Sequence, residues 1–100
     1  MNKNYIVMLN VPPDLEELVV DCLLLLERDH GFCTFPLYSH HHESKGLSLA
    51  EQVSGRQKKI RFQMIIDAKG LADLLAQLQE KFSGSGISYW VFPITESGVI

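Results

Sequence analysis

The sequence predicts an α+β domain of order β-α-β-β-α-β, with four antiparallel strands and two helices on one face. Three observations predict it. Four short apolar segments, 5–11, 32–38, 58–67 and 87–94, are rich in Tyr, Ile, Val and Phe and read as strands, with period-two alternation in 58–67. Two intervening segments repeat apolar residues at helical spacing, and turn-forming residues separate the six pieces: Pro12-Pro13-Asp14, Asp29-His30-Gly31, and Ser83-Gly84-Ser85-Gly86. At 100 residues the chain has the size of one domain, residues 1–100.

Residues 5–11 are rich in Tyr, Ile and Val and read as a strand. Pro12-Pro13 ends it and suits the first turn of a helix. Glu16 and Glu17 then oppose the positive end of the helix dipole. Leu15, Leu18, Val19, Cys22, Leu25 and Leu26 form the predicted core stripe, flanked by Val20, Leu23 and Leu24. Gly31 supplies a left-handed cap, and residues 32–38 form strand two. A polar stretch, 39–57, separates it from strand three. Within that stretch Ser48 and Glu51 have the spacing of a capping box and predict one short helical turn. In strand three Ile60, Phe62, Met64 and Ile66 share one face, and Lys59, Arg61 and Gln63 the other. Residues 68–82 form an amphipathic helix with Leu71, Leu74, Leu75, Leu78 and Phe82 inward. Residues 87–94 are strand four, and 95–100 a short tail. This is the ferredoxin-like split unit.

Such a sheet should show one solvated face. Strands one and four do not alternate that way. Tyr5, Val7 and Leu9 oppose Ile6 and Met8, and Ile87, Tyr89 and Val91 oppose Trp90, Phe92 and Ile94. A large uncovered apolar surface marks an interface, so the sequence predicts an obligate oligomer packed through the open sheet face.

Composition excludes several classes. A net charge of −3 argues against nucleic-acid binding by long-range attraction. Trp90, Tyr89 and Phe92 could stack a base, but no RNP-like pattern accompanies them and an oligomer core accounts for them better. The longest apolar run, 22–26, is too short to span a bilayer, and the first ten residues carry no secretion signal. Two cysteines, Cys22 and Cys33, without a C-x-x-C pair, read as small buried apolar side chains of a reduced, cytoplasmic protein. No nucleophile–base or paired-carboxylate constellation stands out, so no enzymatic activity is expected.

Site chemistry concentrates in 39–57. A connection this long in a compact domain is functional or disordered. His40, His41 and His42 precede Glu43 there, and imidazole is a ligand for Zn, Ni and Cu. In extended chain His40 and His42 point one way and His41 the other. The candidate metal ligands are therefore His40, His42 and Glu43, with His41 less suited. The alternative is a solvated histidine segment with adventitious metal affinity. Glu51, Gln52, Gly55, Arg56 and Lys58 form a second candidate set. Gly55 allows the chain to turn back, and Arg56 offers a planar fork to a carboxylate or phosphate. Contact with a ligand or partner and a purely structural turn, with Glu51 and Arg56 paired, fit these residues equally. Lys58, Lys59 and Arg61 read as a solvated strand face.

This pattern resembles the PII signalling proteins and their CutA-type relatives. The stretch 47–58, Leu-Ser-Leu-Ala-Glu-Gln-Val-Ser-Gly-Arg-Gln-Lys, is similar to a small proteobacterial PII-like family of unassigned function, often encoded near heavy-metal efflux systems. The resemblance implies a homotrimer wrapped around a central axis. It implies that 39–57 is the T-loop that touches protein targets, with a metal-efflux component as the candidate partner. It also implies that 83–87, with Gly84 and Gly86, corresponds to the glycine-rich B-loop that wraps nucleotide phosphates. This chain departs from the pattern there. No basic residue follows the glycines, which speaks against nucleotide binding of the PII kind. No tyrosine lies within 39–57 to match the modified loop residue of enteric PII.

Overall fold

The structure, a computed structural model, describes residues 3–26, 31–40 and 56–100. Strand β1 (Asn4–Val11) leads through a single 3₁₀ turn at Pro13–Leu15 into α1 (Glu16–Leu26). Then come β2 (Cys33–His40), β3 (Arg56–Asp67), α2 (Ala68–Phe82) and β4 (Ser88–Pro93). The predicted element order holds. The four strands form one antiparallel sheet in the order β2-β3-β1-β4.

Register fixes which residues share a face. Val7 lies opposite Met64 and Val91, Leu9 opposite Phe62 and Tyr89, and Val11 opposite Ile60. These odd positions of β1 and even positions of β3 face the helices. Val7, Leu9, Val11 and Phe62 are wholly buried, packed with Val19, Cys22 and Leu23 of α1 and Leu74 and Leu78 of α2. Phe32 stacks on Phe62 with ring centroids 5.9 Å apart. Every buried side chain in this core is apolar. Burial of that kind, about 25 cal/mol per Å² of apolar surface, is the main favourable term in folding.

The Asp67 side chain accepts a 2.7 Å hydrogen bond from the Gly70 amide and caps the start of α2. That cap joins β3 to α2 without an intervening loop. Gly31 adopts φ +66, in the left-handed region that favours glycine, while the helix end predicted at Asp29-His30-Gly31 falls largely outside the described residues.

Three expectations are corrected. Helix α1 buries Val19, Cys22 and Leu23, with Leu15 and Leu26 packed beside them, whereas Leu18 and Leu25 point outward and Leu25 is 81% exposed. With nine apolar residues among 15–26, two stripes compete. The one that meets the sheet is rotated from the stripe through Leu18 and Leu25. Cys33 is exposed, not buried, because its cross-strand partner Gln63 lies on the face away from the helices. Finally, Ser39 and His40 extend β2, and Arg56 and Gln57 begin β3, with Ser39 opposite Gln57 and His40 opposite Arg56. The connection predicted at 39–57 therefore comprises 41–55. The helical turn expected at Ser48 and Glu51 lies outside the described residues.

Candidate functional site

The β2–β3 pair runs past the helix layer as a two-stranded ribbon. Ile60 is the last buried residue on the helix side of β3; Lys58 and Arg56, beyond it, are exposed. Arg56 lies five residues past Arg61 along the strand, about 17 Å at the usual strand rise. On this projecting end Tyr38 pairs with Lys58 and His40 with Arg56, all on one face. The Arg56 guanidinium sits over the Tyr38 ring, 4.2 Å from its centroid. A cation on an aromatic face is held in place while its polar edge stays accessible.

The ribbon is strongly charged for an acidic protein. Arg56, Lys58, Lys59 and Arg61 are four of the nine cations in the chain, and β2 together with β3 as far as Ile66 carries no carboxylate. Helix α1 is the opposite, with Glu16, Glu17 and Asp21 and no cation. Of the candidate set at the end of the 39–57 connection, Arg56 and Lys58 are described, and they belong to a basic arm suited to an anionic or carboxylate-bearing partner.

His40 is exposed at the end of β2, but its direct cross-strand neighbour is the permanent cation Arg56. A divalent ion held by His40 would meet that like charge unless Tyr38 retains it. Among the described residues no three His, Cys, Asp or Glu side chains cluster as a metal would require. The other candidates, His41, His42, Glu43, Glu51, Gln52 and Gly55, lie outside the described residues.

The glycine turn between α2 and β4 sits at the sheet end from which the ribbon projects, since Ser88 opposite Asn10 is in the row of Arg61. Gly84 and Gly86 take φ +80 and +86, a conformation only glycine adopts without strain. The Ser85 amide donates to the Phe82 carbonyl at 3.0 Å and the Ile87 amide to Ser85 Oγ at 3.4 Å. Two amides that could cradle a phosphate are therefore engaged within the turn itself. Within one copy the turn and Arg56 are not brought together.

The face away from the helices supplies a feature that the sequence did not suggest. Rows run Ile65–Ile6–Phe92, Cys33–Gln63–Met8–Trp90 and Phe35–Arg61–Asn10–Ser88. Phe35, Ile65, Trp90 and Phe92 remain well exposed on it. In the last of these rows Arg61 Nε donates to Asn10 Oδ1 at 2.9 Å, and the guanidinium lies 5.7 Å from the Trp90 ring centroid. Arg61, expected to be a solvated charge, is a half-buried and oriented one. Only the register between β1 and β3, which places Asn10 opposite Arg61, reveals it.

Comparison with known proteins agrees with this architecture. A family model described as protein of unknown function (DUF3240) matches residues 1–100. No curated protein matches the chain in sequence. Among solved structures, a DUF3240 family protein from Shewanella baltica OS155 superposes with a TM-score of 0.78 at 23% identity, covering 100% of this chain and 99% of that one. CPII, a nitrogen regulatory PII-like protein from Thiomonas intermedia K12 bound to ADP, AMP and bicarbonate, gives 0.69 at 14% identity, with 100% and 98% covered. The periplasmic divalent cation tolerance protein CutA from Archaeoglobus fulgidus gives 0.63 at 13% identity, with 95% and 86% covered. The chain shares its fold with these PII-like and CutA structures. No helix among the described residues is long and apolar enough to cross a membrane.

Proposed function

From the premise that the chain belongs to the DUF3240 family, we propose that it is a PII-like trimeric regulatory protein that engages a partner through the segment joining β2 to β3. The open sheet face carries the reading. Ile6, Met8, Phe35, Ile65, Trp90 and Phe92 line it, and a monomer would leave that apolar surface in water. Closing three such faces around an axis leaves the basic ribbons free to project. The partner class is a protein with an acidic docking surface, and the family resemblance points to a component of metal efflux. The role is binding, not catalysis.

CPII is described with ADP and AMP bound. Here the glycine turn holds two of its amides internally and carries no cation, so the reading does not include a phosphate-wrapping B-loop. Two free thiols, one of them exposed, suit a reducing cytoplasm.

A second reading is a histidine-based buffer or sensor for Zn, Ni or Cu. His40, exposed at the ribbon end and followed by His41 and His42, favours it. The like charge of Arg56 opposite His40 weighs against it.

Sedimentation equilibrium of the tag-free protein, with calorimetric titration of Zn, Ni, Cu(II) and ADP, tests both. A trimer is expected, with metal binding no tighter than micromolar. A monomer at micromolar concentration would end the first reading. Submicromolar metal affinity abolished by His40→Ala with His42→Ala would favour the second.

A further inference from the structure

The open face has two unlike ends. Away from the ribbon its rows are apolar, Ile65–Ile6–Phe92 and then the row that ends in Met8 and Trp90. Toward the ribbon it turns polar and cationic. The row of Arg61, Asn10 and Ser88 comes first, and beyond it Lys59 lies opposite Leu37. The one carboxylate that the four strands place on this face is Asp67, at the opposite end, and it is engaged with the Gly70 amide. Lys59 and Arg61 therefore stand on a face with no strand carboxylate near them.

Arg61 is already oriented. Its Nε is committed to Asn10 Oδ1, and the guanidinium lies beside the Trp90 ring. The two Nη groups form the edge that takes a planar carboxylate in bidentate fashion. Lys59 precedes Arg61 by two residues on the same face, about 7 Å along the strand, so both cations can reach one oxyanion. Both are half-buried, and a cation drawn partly out of water gains more from an anion than a fully solvated one.

The surroundings of the pair are apolar. Phe35 lies directly across β3 from Arg61, and Trp90 flanks it from beyond β1. Both rings keep about two fifths of their surface exposed. Small-molecule sites combine apolar walls with a few placed polar groups. Two cations bordered by two aromatic rings match the scale of a small acid, not of an extended acidic chain.

We infer that this end of the open face binds a small organic carboxylate. Its carboxylate lies on the Nη edge of Arg61 and on Lys59, and its apolar body lies against Phe35 and Trp90. Every group of the site comes from one copy, so the inference goes beyond the trimer reading and does not depend on it.

Trp90 is the single tryptophan of the chain, and its fluorescence reports on the site. The tag-free protein is titrated at constant ionic strength with cyclohexanecarboxylate. Acetate supplies the charge without the body, cyclohexanol the body without the charge, and inorganic phosphate a different oxyanion. Cyclohexanecarboxylate should give a saturable change at concentrations at least about tenfold below acetate, since it adds apolar burial to the same charge. Arg61→Gln should weaken it at least about tenfold, as loss of a charge-assisted contact does. Lys59→Gln should weaken it about two- to fivefold, and Lys69→Gln, exposed on α2, should leave it unchanged. A response that does not saturate, an equal response to cyclohexanol, or Arg61→Gln binding as tightly as wild type would overturn the site. Phosphate bound more tightly than the carboxylate would overturn the ligand class. If Arg61→Gln fails to fold by far-UV circular dichroism, Arg61→Lys replaces it, keeping the charge and losing the fork, and the same loss is required. Sedimentation equilibrium alongside separates the two readings. A monomer that binds the acid removes only the trimer, and a trimer that does not bind it removes only this site.

Discussion

Replacing Trp90 by alanine should loosen the assembly while leaving the fold in place. Trp90 sits in β4 on the open face and retains 42% of its surface in one copy. A tryptophan offers up to about 250 Å², so closing the face removes about 100 Å² of it from water. At about 25 cal/mol per Å² that burial is worth about 2.5 kcal/mol per copy, or roughly 70-fold in each association step. The part of Trp90 already covered packs against Arg61 on the same face, away from the main core, so the helical signal and core packing should persist. Tyr89 is the internal control. It is the preceding residue, is 54% exposed and points to the other face. Sedimentation equilibrium over a hundredfold concentration range reads both variants. Trp90→Ala should move the trimer midpoint by one to two decades and Tyr89→Ala by less than a factor of three. Equal effects of the two substitutions would refute the assignment of the interface to the open face. So would a Trp90→Ala trimer as tight as wild type.

Two other outcomes follow from the same structure. Phe62→Ala removes a wholly buried ring stacked on Phe32 and should cost about 3–5 kcal/mol, read as a fall in melting temperature of more than about 12 °C. Cys33, exposed on the open face, should react with a thiol reagent in dilute monomer and be protected at trimer concentrations, whereas Cys22, buried on the inner face of α1, should react only on unfolding. Equal reactivity of Cys33 across the concentration range would show that the open face is not covered.

Much of the fold was legible because local signals and tertiary demands coincide in β1, β3 and α2. Alternation placed Ile60, Phe62 and Met64 on one face, and helical spacing placed Leu74 and Leu78 inward. Both faces of β1 and β4 being apolar also signalled the open surface. Helix α1 failed for the opposite reason. Its apolar residues nearly encircle it, so periodicity alone cannot choose the stripe, and only contact with the sheet selects Val19, Cys22 and Leu23 over Leu18 and Leu25. Cys33 and Arg61 were misjudged because residue type says nothing of cross-strand neighbours. Gln63 places Cys33 on the open face, and Asn10 turns Arg61 from a solvated charge into an oriented donor. At the ribbon, composition located Arg56 and Lys58 as accessible cations, but the Tyr38 platform depends on a pairing register that no spacing rule supplies.

The strand order has a consequence for how the chain is made. β1 leaves the ribosome first, yet it is central, and both its neighbours arrive late: β3 begins at Arg56 and β4 at Ser88. No hairpin can satisfy it in the meantime, so its backbone waits with two unpaired edges until β3 is made. The helices cannot shelter it fully, because α2 follows β3. Until Pro93 is added one edge of β1 stays open, flanked by Ile6 and Met8, and it is a template for any other strand nearby. Shortening the nascent chain before Ser88 should therefore give an aggregating species, because β4 is the seal on the first strand as well as part of the surface offered to the next copy.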